Sequence, residues 1–215
     1  MGCRTANGYD INAEEGQNPQ LKDGRGNIAP VTIILPTIAM ECWKEWCNEE
    51  EQRYDIDITP DMNIDEVETS VNNAIISEDD TIIFLGHGTE YGLLFPDFYK
   101  GLYILHDENV NLIHAKNIIC CWCHASSFVN RHIDHLHNTF ATSMYISNEH
   151  EAYDNAIYDY SQNDIDLNGI RFYANINQLL IDKIPLDQWV MILGAKMDIE
   201  NEIDVFNRQG LFYQE

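Results

Sequence analysis

Three cysteines and a histidine fall within five residues at Cys120-Cys121-Trp122-Cys123-His124. Three chemistries use such a pattern. Cys-x-x-Cys-His is the spacing of covalent haem attachment. Cys120 and Cys123 also have the spacing of a zinc-ligand pair, and His132, His135 and His137 follow them in NRHIDHLH. A cysteine that closes an apolar run can be a nucleophile, if a base or a positive environment favours its thiolate. A second titratable group, His87, closes another apolar run, TIIFLG, and is followed by Gly88.

The elements around these residues decide between the readings. VTIIL (31–35) is a short β-branched run closed by Pro36 and predicts a buried strand. TIAMECWKEWCNEEEQR (37–53) has a broad apolar stripe at helical spacing. YDIDIT (54–59) alternates like a strand, and 63–76 predicts a helix with Ile64, Val67, Val71 and Ile75 facing inward. TIIFLG (81–86) and NIICCW (117–122) are the clearest strands, with a short helix expected over 108–116. ATSMYIS (141–147) reads as another strand, and helices are expected over 148–160, 172–183 and 186–206. Residues 1–29 are polar and rich in Gly and Asn, and are expected to form a flexible lead-in to a single domain over 30–215.

Strands alternating with helices, the strands apolar on both faces, predict an α/β fold: three layers, a mostly parallel central sheet of about five or six strands, and helices on both sides. Sites in such sheets lie beyond the carboxyl ends of the strands. His87 and Cys123 both follow strands directly and belong at one sheet edge. In an extended strand, residues 120 and 123 point to opposite faces, so a shared metal ion requires a sharp turn at Trp122. Cys120 and Cys121 are expected in the core, one facing each side. Cys42 and Cys47 are also read as core, and Trp43, Trp46, Trp122 and Trp189 as packing residues. A helix beginning after Cys123 would offer N–H groups to a thiolate. Gly88 allows close backbone approach, and its N–H is a candidate oxyanion donor.

An apolar strand ending in His-Gly, followed by an apolar strand ending in Cys, resembles the caspase, gingipain, legumain and separase group of cysteine peptidases (clan CD). The resemblance rests on TIIFLGHG and NIICCWCHA and covers roughly residues 31–147. It implies a caspase-like fold and a Cys–His dyad. His87 would act as base or acid, and the N–H groups of Gly88 and Cys123 would hold the oxyanion. The caspase group often has Gly soon after the nucleophile, whereas this chain reads Cys123-His124-Ala125-Ser126. The chain is also similar to a set of small bacterial proteins of uncharacterised activity. Gly86-His87-Gly88 with Gly92-Leu93-Leu94, Trp122-Cys123-His124-Ala125, and the stretch from Met144 to Ala152 carry that second likeness.

Composition narrows the partners. The chain has 215 residues, with 12 Lys+Arg against 36 Asp+Glu, a net charge of −24. That charge excludes the basic footprint needed for nucleic acid or an anionic membrane. A peptide or protein substrate is expected, with basic residues favoured at its recognised position. No run reaches the ~18 apolar residues of a membrane span. The N-terminal stretch lacks an apolar signal core, and Met1-Gly2-Cys3 falls short of a myristoylation pattern because residue 6 is Ala. A cytoplasmic location with reduced thiols is therefore expected. The expected function is thiol-dependent peptide hydrolysis by Cys123, His87 and Gly88, with no cofactor. The alternatives are an inactive caspase-like binding or regulatory module, and a zinc-stabilised Cys/His domain.

Overall fold

The computed structural model describes residues 63–76, 81–95 and 101–215. The expectations for residues 1–59, including the lead-in, two strands, one helix, Cys3, Cys42, Cys47, Trp43 and Trp46, lie outside them.

The described residues form an α/β structure built on a four-stranded, mostly parallel sheet. Its strands are β1 (Thr81–Leu85), β5 (Asn117–Cys121), β6 (Thr139–Thr142) and β7 (Leu211–Gln214), in that spatial order. β1, β5 and β6 run parallel, and β7 pairs antiparallel with β6. A small antiparallel sheet of β2 (Gly88–Thr89), β3 (Gly92–Leu94) and β4 (Tyr103–Leu105) grows from the end of β1. The helices are α1 (Ile64–Ile76), α2 (Ala125–Arg131), α3 (Glu149–Asp154), α4 (Gln162–Ile181), α5 (Trp189–Lys196) and α6 (Glu202–Gln209).

The alternation of side chains along β1 and β5 divides the interior in two. Phe84, Ile118 and Cys120 face a core completed by Val67, Val71 and Ile75 of α1, Phe128 and Val129 of α2, and Leu93 and Leu105 of the small sheet. Leu85, Ile119 and Cys121 face the opposite core, with Phe140, Phe172 and Ile176 of α4 and Trp189 and Leu193 of α5. Helices therefore cover both faces, as fully apolar parallel strands require. Cys120 and Cys121 take one core each, as expected, and Trp122 and Trp189 are packing residues.

Several expected elements differ. Ile64 is exposed at the first turn of α1, while Val67, Val71 and Ile75 are buried. Only a 3-10 turn, Val110–Leu112, forms within 108–116. The third parallel strand is Thr139–Thr142 rather than 141–147. Beyond Thr142 the backbone finds partners outside the sheet: Ser143 N–H bonds the Gly210 carbonyl (2.7 Å) and Ile146 N–H bonds Asn207 Oδ1 (2.8 Å). Helix α3 stops at Asp154, and α4 starts at Gln162, ten residues before the expected 172. Ser161 and Asp164 form a reciprocal capping box that fixes this start. The expected helix over 186–206 is two helices. Asn201 breaks the run and caps α6, accepting from Ile203 and Asp204 N–H.

No helix among the described residues is long and apolar enough to cross a membrane.

Candidate functional site

β1 and β5 are neighbours, and their register places the candidate residues together. Thr81 pairs with Asn117 and Leu85 with Cys121, a constant offset of 36 residues. His87 and Cys123 keep that same offset, two residues beyond the last pair. Neighbouring strands are about 4.8 Å apart, so the two positions leave the sheet side by side at its carboxyl edge. The Gly86 N–H still bonds the Cys121 carbonyl (3.2 Å), which carries the pairing one residue past the strands.

The chain turns sharply after β5. The Ala125 N–H bonds the Trp122 carbonyl (3.2 Å), closing a four-residue turn with Cys123 and His124 at its centre. His124 has φ 68° and ψ 19°, and the φ of Cys123 is not positive. That combination is a type II turn, which favours glycine where His124 stands. Histidine tolerates this left-handed conformation better than a β-branched residue does. His124→Val is expected to cost about 1–2 kcal/mol, with Asn or Gly tolerated at the same position. Urea denaturation of the three variants measures this.

The Cys123 thiol is buried. Among the described residues its one hydrogen-bond partner is the Tyr145 carbonyl, with Sγ···O 3.8 Å. Tyr145 lies beyond β6, on the side of β5 away from β1. The thiol is therefore parked toward β6. The Tyr173 phenol of α4 lies near it. Burial raises the Tyr173 pKa well above its usual range, with further contributions from Cys121, Tyr145 and Cys123. The Tyr145 and Tyr173 rings are 6.2 Å apart, and Phe172 packs against both. These two tyrosines were missed in the sequence. Both fall inside expected elements, Tyr145 in the strand expected over 141–147 and Tyr173 in the helix expected over 172–183, but neither was read as part of the site.

His87 is half-buried, and burial of its imidazole lowers its pKa to about 4. The ring is neutral at physiological pH. Cys121 is inert: burial pushes its thiol up to about 12. Burial, with a contribution from neighbouring Cys121, also raises the Cys120 thiol well above its usual range.

Gly88 begins the β2–β3 hairpin. The Leu94 N–H bonds the His87 carbonyl (2.8 Å), so His87 and Leu94 form a hydrogen-bonded pair. Antiparallel pairs alternate, which makes Gly88–Leu93 a non-hydrogen-bonded pair. The Gly88 N–H consequently points away from β3, at the outer edge of the small sheet. The expected donors at the start of α2 are largely occupied. Ala125 N–H bonds the Trp122 carbonyl, and Ser127 and Phe128 N–H bond the His124 carbonyl.

Two of the histidines that suggested zinc have other partners. His132 Nε2 pairs with Asp107 (3.0 Å), and His137 Nδ1 lies 3.4 Å from a Glu215 oxygen. Cys120 is fully buried in the α1/α2 core. Among the described residues no group of three or more His, Cys, Asp or Glu could hold a metal ion.

Comparison of the chain with protein-family models, with curated proteins and with solved structures gives no match.

Proposed function

We propose that this chain is a thiol-dependent peptide hydrolase of caspase-like architecture, with Cys123 as nucleophile and His87 as its base. One observation carries the reading. The β1–β5 register delivers a histidine and a cysteine to adjacent positions at the one sheet edge where α/β sites form. The chemistry follows from their types. The thiol leaves the Tyr145 carbonyl and passes its proton to the His87 imidazole as sulfur attacks the scissile carbonyl. The carbonyl oxygen takes the electron pair and is held by the N–H groups of Gly88 and Cys123. The intermediate collapses, His87 protonates the departing amine, and a thioester remains on Cys123. Water then attacks the thioester with His87 again as base, releasing the acid and restoring the thiol.

The resting geometry also favours a second reading, a caspase-like binding or regulatory module without hydrolysis. A thiol bonded to a backbone carbonyl and a histidine titrating near 4 are what an unused site would retain.

Thiol alkylation separates the two. Native protein is treated with substoichiometric iodoacetamide across pH 5 to 9, and the modified cysteines are mapped by mass spectrometry. On the hydrolase reading, Cys123 labels at least about tenfold faster than Cys120 or Cys121, and His87→Ala removes that advantage near pH 7. Slow labelling of Cys123 that is indifferent to His87→Ala assigns the site to the binding module.

A further inference from the structure

The residue before the thiol, Trp122, reaches across to the segment that carries His87 and Gly88. Trp122 is 2% exposed, and its indole lies on the hairpin that carries His87 and Gly88. Nε1 donates to the Thr89 carbonyl at 3.1 Å. A Cβ built on Gly88 would stand 2.1 Å from Cδ1 and 2.6 Å from Cγ of that ring. No side chain fits between them, so the indole contacts the Gly88 backbone directly. On its other side the ring packs edge-on to Phe128 of α2, with centroids 5.7 Å apart. The Trp122 carbonyl is pinned in turn by Thr142 Oγ1 of β6 (3.0 Å) and by the Ala125 N–H (3.2 Å).

The same hairpin is held at its tip. Arg131, the last residue of α2, donates to the Glu90 carbonyl and pairs with Asp107. Its guanidinium lies 5.2 Å from the centroid of the Tyr91 ring. The segment bearing Cys123 therefore grips the segment bearing His87 at two points, one adjacent to the thiol and one at the far end of α2. His87 and Gly88 lie beyond the last β1–β5 pair, so the sheet ladder itself does not hold them. A bulky residue beside a nucleophile looks like an obstruction in the sequence; here its bulk is directed away from the thiol and onto the partner segment.

We propose that Trp122 is the positioning residue of this site: its indole, seated on Gly88 and bonded to the Thr89 carbonyl, sets the distance between the His87–Gly88 segment and the Cys123 thiol. The inference rests on the hydrolase reading and adds to it the group that aligns the dyad. Arg131 acts with it as a second, weaker tie. Trp122 need not touch substrate. It acts through the backbone of Gly88 and Thr89.

The test uses the full-length chain and the rate of Cys123 alkylation by iodoacetamide from pH 5 to 9. Wild type, His87→Ala, Trp122→Phe and Arg131→Gln are compared, with folding checked by circular dichroism. Phenylalanine keeps an aromatic ring against Phe128 but loses the bond to Thr89. Trp122→Phe is expected to lower the rate at pH 7 about tenfold, the effect of losing one well-placed hydrogen bond, and to move the pH profile toward that of His87→Ala. Arg131→Gln, changed at an exposed site, is expected to lower the rate about two- to threefold in the same direction. A folded Trp122→Phe chain with the wild-type rate and pH profile overturns the positioning role and leaves the dyad intact. If Trp122→Phe does not fold, Arg131→Gln decides: an unchanged rate overturns the clamp. Equal rates for wild type and His87→Ala sink the dyad, and the clamp with it.

Discussion

A chain carrying Gly92→Ala is expected to lose on the order of 3–5 kcal/mol of folding stability, from backbone strain and overpacking together. Gly92 closes the β2–β3 turn with φ 141°, a conformation that residues with a Cβ rarely adopt. Space is equally short. A Cβ there would stand 1.9 Å from the Leu105 carbonyl oxygen and 3.0 Å from its carbon. Both atoms belong to the backbone of β4, so no side-chain rotation relieves the clash. The hairpin has little to absorb the change. Thr89 pairs with Gly92, and Thr89 Oγ1 accepts from the Tyr91 N–H (3.0 Å) across the turn. The loss is also expected to reach the site, because His87 and Gly88 are the first residues of this hairpin. Urea denaturation gives the stability, and Cys123 alkylation gives the coupling. A loss below about 1 kcal/mol would mean that the irregularity already present between Leu93 and Leu94 slides to accommodate the methyl group.

The two strands that position the site were the most legible parts of the sequence. TIIFLG and NIICCW are short apolar runs, the pattern of strands covered on both faces, and the structure ends each strand one residue earlier, at Leu85 and Cys121. His87 and Cys123 could be placed at one sheet edge for the same reason. The hairpin between them was not legible. β2 has two residues, too few to show a period, and its Glu90-Tyr91 turn carries none of the Asn-Gly or Asp-Gly signals. Nor was β7. LFYQ is only half-buried at a sheet edge, and its pairing with β6 joins residues about seventy positions apart. The first half of α4 was hidden by QNDIDLNGIR, which is poor in apolar residues and contains Gly169, although Ser161 and Asp164 announced its start. Tyr145 approaches the thiol through its backbone carbonyl, and no side-chain pattern can signal that. The role of Trp122 was visible only as bulk, because what matters is the missing Cβ of Gly88, 34 residues earlier.

Acidification is expected to weaken the fold through His87, and the sign follows from its burial. The unfolded chain protonates this histidine near 6.5, whereas the folded one does so near 4. Between those values the unfolded state holds a proton that the folded state refuses. Stability must then rise with pH across that window and fall as pH drops through it. The contribution is fully present above about 6.5 and is lost below about 4, with an amplitude of at most about 3 kcal/mol. The 36 carboxylates of the chain begin to titrate in the same range, so a single stability curve cannot isolate it. The difference between wild type and His87→Gln can. Urea denaturation from pH 4 to 7.5 should show the two curves diverging as pH falls, with the wild type losing the larger share. Parallel curves would mean that the folded chain protonates His87 as readily as the unfolded one, and the ring would then lie in solvent. The same experiment bears on function. A buried neutral imidazole can accept the thiol proton but does not hold it at rest. Alkylation of Cys123 should therefore quicken further when a peptide occupies the edge and draws the sulfur away from the Tyr145 carbonyl.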